Sequence, residues 1–91
     1  MKKAVKVFIS GTVQGIFFRN FIKENADKLG VKGFVRNLED GRVEAWLEGE
    51  GKDVDEMVEK CREGSPHSQI KRLDIVDEKV QDFQTFKILK I

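Results

Sequence analysis

Between Gly11 and Arg19 the sequence runs Gly-Thr-Val-Gln-Gly-Ile-Phe-Phe-Arg, two glycines four residues apart with an arginine four residues further on. Glycines so placed relieve the steric limits on a tight loop, and successive amide N–H groups can then point inward as an anion nest at the start of a helix. A phosphoryl group fits such a nest. Arg19 stands where its guanidinium could fork onto two phosphate oxygens, a bidentate contact that lysine cannot reproduce. By spacing alone the stretch reads more simply as a plain glycine turn with a surface arginine, and it lacks the Gly-Lys-Ser/Thr ending of a nucleotide P-loop. Asn37, at the end of a strand-like run, reads by itself as satisfying a turn, the commoner use of asparagine.

These residues can act together only if the fold brings them to one edge. From Lys3 to Ile9 the pattern alternates, with Val5, Val7 and Ile9 on one face and Lys6 and Phe8 on the other, which predicts a half-buried strand stopping at Gly11. Phe18, Phe21 or Ile22, Ala26 and Leu29 recur at helical steps up to Gly30, the expected left-handed cap. Gly33–Leu38 and Arg42–Gly49 read as two strands joined by a turn at Asp40-Gly41. Asp53 is the expected N-cap of a second helix whose stripe is Val54, Met57, Val58 and Cys61, ending before Gly64 and Pro66. Ile70–Val76 forms a fourth strand whose apolar phase changes between Ile70 and Leu73, which predicts a bulge, and Phe86–Ile91 forms a short fifth.

The order β-α-β-β-α-β-β predicts an α+β, ferredoxin-like (split βαβ) sandwich. It has an antiparallel sheet of four strands plus a short fifth edge strand, with two helices on one face. A right-handed crossover through the first helix makes the first two strands run in the same direction, so their C-terminal ends share an edge. Residues Gln14 to Arg19 and Asn37 should meet there.

Gly11 to Arg19 resembles the first signature of the acylphosphatase family, Gly-x-Val-Gln-Gly-Val-x-Phe/Tyr-Arg, with Ile16 for valine as its one departure. Gly33-Phe34-Val35-Arg36-Asn37, followed by Gly41-x-Val43 and Gly49, is similar to the second signature, and Gly64-Ser65-Pro66 with Ile70 to the later Gly-x-Pro segment. Together they span nearly the whole chain. The resemblance implies one acylphosphatase-like domain over residues 1–91 and a hydrolase of carboxyl-phosphate bonds. It implies that Arg19 binds phosphate, that Asn37 positions the attacking water, and that Gln14, Gly15, Ile16, Phe17 and Phe18 complete the phosphate loop with Arg19. The chemistry is consistent: an acyl phosphate leaves as a stable carboxylate, so little general-acid help is needed, and holding oxygens while aligning a water suffices.

Composition narrows the alternatives. A chain of 91 residues fits one domain, and 40% hydrophobic residues suffice for a core, while 36% charged residues predict a densely ionic surface, compatible with a hot-living source. Lys and Arg number 17 against 16 acidic residues, so no broad charge favours nucleic acid or an acidic membrane as partner. The start MKKAVKVFIS has no apolar signal region, no stretch approaches a membrane span, and the single Cys61 cannot form an internal disulfide, so the expected location is cytoplasmic. No His, Cys or acidic cluster has metal-ligand spacing, and no cofactor or metal is expected. The expected partners are a small acyl phosphate and, as competitors, inorganic phosphate or sulfate, acting on a monomer.

Cys61 reads as an inert core thiol, His67 as a solvated loop residue, Glu39, Asp40, Glu48 and Glu50 as hairpin and rim charges, and Phe17, Phe18 and Phe21 as core or pocket-wall residues. The rival from another class is a single-stranded RNA reader, because Lys32-Gly33-Phe34-Val35 echoes part of an RNA-recognition motif. The echo lacks a second aromatic two positions on. A ligand-sensing regulatory domain of the same architecture is a further rival, although such domains usually accompany an enzyme.

Overall fold

The computed structural model describes residues 1–13 and 15–90; Gln14 and Ile91 lie outside the described residues. Seven elements follow in order: β1 (Lys2–Thr12), α1 (Ile16–Leu29), β2 (Lys32–Asn37), β3 (Val43–Glu50), α2 (Gly51–Glu63), β4 (Gln69–Glu78) and β5 (Phe86–Ile88). The sheet order is β4-β1-β3-β2-β5. β3 is antiparallel to both β1 and β2, so β1 and β2 point the same way with β3 between them, as the crossover through α1 requires. The fold is the expected ferredoxin-like α+β sandwich. One detail differs: β5 joins β2 in parallel, Gly33 to Val35 against Phe86 to Ile88, which makes the sheet mixed.

Val5, Val7 and Ile9 of β1, Val35 of β2, and Val43, Ala45 and Leu47 of β3 are buried and form the main core with the helices. α1 contributes Phe18, Ile22 and Ala26, and α2 contributes Val54, Met57, Val58 and Cys61, the predicted stripe. α1 ends on Gly30 in the left-handed conformation, whose N–H reaches the carbonyls of Ala26 and Asp27. α2 starts earlier than expected: Glu50 is its N-cap and the Gly51 amide donates to the Met1 carbonyl at 2.8 Å. Asp53 is not the cap. It lies in the first turn, where its charge still complements the positive end of the helix.

β1 continues through Gly11 to Thr12, and the break predicted there is a bulge on its neighbour. Ser10 pairs with Arg72 but Gly11 pairs with Ile70, so Lys71 is the extra residue of β4, where the apolar phase changes. Gly11 has φ 136°, and a Cβ on it would lie 2.0 Å from the Gln69 carbonyl oxygen. Its glycine therefore serves strand packing, not loop bending.

The face of the sheet turned away from the helices is also covered at its centre. Glu44, Trp46 and Glu48 of β3 are buried; over Trp46 the chain between β4 and β5 packs Phe83, which also meets Phe34, with ring centroids 5.8 and 6.0 Å apart. Glu48 is thus not a rim charge. Its Oε1 accepts hydrogen bonds from the Trp46 indole at 3.1 Å and the Gln81 amide at 2.8 Å, and its Oε2 accepts one from the Phe83 amide at 2.9 Å. Burial pushes this carboxyl's pKa up, but the bonds from Gln81, Trp46 and Phe83, with the nearby Asp82 amide, together outweigh it and hold the group below the usual carboxylate range.

Candidate active site

Ile9, Val43 and Asn37 occupy one row across β1, β3 and β2. At ~4.8 Å per strand step, Asn37 lies about 10 Å across the sheet from β1, at the edge where the chain leaves β1 for α1. Alternation along β2 settles which way it faces. Val35 is buried in the helix-side core, Arg36 turns to the opposite face and donates from Nε to Glu44 Oε1 at 2.6 Å, and Asn37 returns to the helix side. There it is half-buried, and its Oδ1 is buried without a hydrogen-bond donor among the described residues. An orphaned buried acceptor is costly and uncommon in folded proteins, and this one can accept a hydrogen bond from an incoming donor.

The hairpin after Asn37 fixes its position. The Leu38 amide donates to the Arg42 carbonyl at 2.8 Å and the Gly41 amide to the Leu38 carbonyl at 3.2 Å, a tight closure immediately beyond the site. Asp40 accepts from the Arg42 amide at 3.0 Å, and this bond, followed by that from the Arg42 side chain, lowers its pKa. Asp40 is therefore a turn residue, as expected.

On the other side, Val13 is fully buried and anchors the chain as it leaves β1. Gly15 is the N-cap of α1 at φ 107°, ψ 172°, with no side chain capping the helix. A Cβ there would meet nothing within 4 Å, so backbone conformation, not space, selects glycine. Since α1 begins at Ile16, the amides of Ile16, Phe17 and Phe18 have no acceptor within the helix, whereas that of Arg19 is the first able to reach the carbonyl four residues back. The amides without an acceptor in the helix are thus those before Arg19. Their uncapped N–H groups and the helix dipole together favour a negative ligand.

Arg19 is half-buried one turn into α1, and its Nε donates to the Gly15 carbonyl at 3.2 Å. This bond ties the guanidinium to the N-cap of the helix, and its two Nη groups are of the kind that can fork onto an anion. The structure therefore places Gly15, Ile16, Phe17, Phe18 and Arg19 on the edge that also carries Asn37; Gln14 lies outside the described residues. Of the three phenylalanines, Phe18 is buried and Phe21 packs on the core. Phe17 is 82% exposed and is not a core residue.

The connection from α2 to β4 reaches the same edge, since Gln69 pairs with Thr12. It is closed by Ser68, whose Oγ accepts from the Ser65 amide at 2.7 Å and donates to the Ser65 carbonyl at 3.0 Å. The sequence pattern had not singled out this serine; its place two residues beyond Pro66 in a Ser-rich turn was the available signal. His67 is exposed beside it. Cys61 is fully buried, and burial pushes its thiol up to about 12. Among the described residues no group of three His, Cys, Asp or Glu could hold a metal ion, and no helix is long and apolar enough to cross a membrane.

The acylphosphatase family model matches residues 5–88 of this chain. A relative named acylphosphatase from Rubrobacter xylanophilus is 53% identical over 76 residues, which cover 84% of this chain and 69% of that protein. An acylphosphatase from Syntrophobacter fumaroxidans is 46% identical over 88 residues, covering 96% of this chain and 91% of its own. The crystal structure of acylphosphatase from Bacillus subtilis superposes with a TM-score of 0.92 at 32% identity, over 99% of this chain and 100% of that one.

Proposed function

Because the chain belongs to the acylphosphatase family and is an enzyme that hydrolyses acyl phosphates, we propose that Asn37 holds the attacking water while Arg19 and the start of α1 hold the phosphoryl group. The observation that carries this division of labour is the buried Asn37 Oδ1 with no donor among the described residues, at the edge shared with an uncapped helix start.

The phosphoryl oxygens bind the free amides of the first turn of α1 and the two Nη groups of Arg19. These donors are fixed before substrate arrives, because Val13 and Phe18 are pinned in the core on either side of the loop and Nε is tied to Gly15. A water donates a hydrogen bond to Asn37 Oδ1, which turns a lone pair toward phosphorus. In-line attack forms the new P–O bond as the bond from phosphorus to the acyl oxygen breaks, and the electron pair leaves with the carboxylate. The water's second proton passes to a phosphoryl oxygen, so the products are the carboxylate and dihydrogen phosphate and no enzyme group changes protonation. Catalysis is then positioning plus electrostatic complementarity to the charge that builds on the phosphoryl oxygens.

The substrates are small acyl phosphates; the enzyme acts on them as a monomer, with no nucleic-acid partner. Inorganic phosphate or sulfate should inhibit competitively, and activity should persist in excess chelator, since the dianion is met by Arg19 and amides. Steady-state kinetics on a generic acyl phosphate tests both points. Purely noncompetitive inhibition by phosphate would place the anion site elsewhere, and a requirement for added magnesium would overturn the mechanism.

A further inference from the structure

The two halves of the site stand on different elements. In the mechanism above every donor to the phosphoryl group belongs to α1 and Asn37 belongs to β2, so the alignment of water with phosphorus depends on how far the helix lies from the strand. The covalent link between them, through Gly30 and Val31, is at the far end of α1, roughly 20 Å along a helix of 14 residues from the cradle. Packing of Phe18 and Ile22 presses α1 onto the sheet, but apolar attraction has no direction, whereas a hydrogen bond fixes length and angle.

β5 receives such a bond. Around it the Thr85 carbonyl accepts from the Gly33 amide at 3.0 Å and the Leu89 amide donates to the Val35 carbonyl at 2.9 Å, so these residues turn their backbone groups toward β2. Alternation then turns the carbonyl of Phe86 the other way, to the side where β5 has no neighbouring strand. Lys23, one turn beyond Arg19 on α1, donates from Nζ to this carbonyl at 3.0 Å and to Asp27 Oδ2 at 2.9 Å. Phe86 is 3% exposed, so the strand that receives the bond is itself anchored in the core. The Asp27 pair is exposed and stabilises little on its own. We propose, resting on the division of labour given above, that Lys23 is a positioning residue: by tying α1 to β5, and through β5 to β2, it sets the distance between the phosphoryl cradle and the water held by Asn37.

The test measures kcat, KM and inhibition by inorganic phosphate with acetyl phosphate as substrate, in variants shown to be folded by urea unfolding. Lys23→Met keeps the apolar stem and removes the donor. It should lower kcat on the order of 10-fold, since small displacements of reacting groups are costly, while phosphate inhibition stays as in the wild type because the cradle lies wholly on α1. Lys23→Arg should restore most of the loss, and Asp27→Asn, which spares the bond to Phe86, should stay near the wild type. On an Asn37→Ala background Lys23→Met should cost no further kcat, the non-additivity expected when one residue acts through another. A merely structural lysine would cost the same in both backgrounds. An unchanged kcat in Lys23→Met, a parallel loss of phosphate inhibition, an equal loss in Asp27→Asn, or a full further loss on the Asn37→Ala background overturns the positioning role. Failure of the reading beneath it looks different: Asn37→Ala alone would then keep its kcat, and the role of Lys23 falls with it.

Discussion

Glu48→Gln is nearly isosteric, yet it should be one of the most damaging substitutions available outside the active site. Glu48 is 3% exposed, and its carboxylate receives three N–H donors, two on Oε1 and one on Oε2. A glutamine offers one acceptor oxygen and an NH₂ group, so with its oxygen at the Oε1 position the NH₂ faces the Phe83 N–H, donor against donor. Hydrogen bonds to a buried charged group are worth ~1.5–3 kcal/mol each, and a stranded buried donor adds to the loss, so the cost should be about 2–4 kcal/mol. With an m-value of roughly 1.5 kcal/mol/M, the urea midpoint should fall by about 1.5–2.5 M. The chain between β4 and β5 should loosen first, since two of the three donors belong to it.

The pH dependence adds a sign to this test. Glu48 has its pKa lowered on folding from 4.5, so its contribution is complete above that value and is lost as pH falls through the lower folded-state pKa. The gap between wild type and variant should therefore be full at about pH 7 and narrow below about pH 4. Catalysis should be spared, because Glu48 lies five residues along β3 from Val43, the partner of Asn37, or ~17 Å at strand rise. Equilibrium urea unfolding at several pH values measures all of this. A midpoint within ~0.3 M of wild type at pH 7, or a gap that persists undiminished to about pH 2, would refute the carboxylate clamp.

Asn37→Ala should leave phosphate inhibition in place and reduce kcat on the order of 10²- to 10³-fold, if losing a water-orienting contact resembles losing an oxyanion donor. Arg19→Gln should weaken both phosphate inhibition and turnover, and Arg19→Lys should recover little, because a point charge cannot span two oxygens; kinetics on variants shown to be folded by circular dichroism checks both. Gly11→Ala should cost about 2–4 kcal/mol in urea unfolding, since a Cβ 2.0 Å from the Gln69 carbonyl oxygen must push β4 away or twist β1. Cys61, with its thiol pushed up to about 12, should resist alkylation at pH 8 in the native protein and react promptly in urea, as mass spectrometry of the adduct would show.

Periodicity in the chain was enough to determine the order of elements, the stripe of α2, the cap at Gly30 and even the bulge of β4, because each is a local match between side-chain polarity and a fixed repeat. The topology that follows from that order placed Arg19 and Asn37 on one edge, and the signature motifs attached roles to them. What local pattern could not reveal was whatever depends on a second layer arriving from far along the chain. Glu48 alternates with core residues as a solvent-facing charge would, and only the return of residues 81 and 83 over that face buries it and supplies its donors. Gly11 read as a loop glycine because its crowding comes from Gln69. Asp53 read as a cap because a good capping residue hides the earlier helix start that the Gly51 to Met1 contact fixes. The exposure of Phe17 was likewise invisible, since three consecutive apolar residues look alike until the fold decides which one enters the core. In each case the deciding atoms are distant in sequence, and burial, unlike periodicity, is a property of what lies opposite.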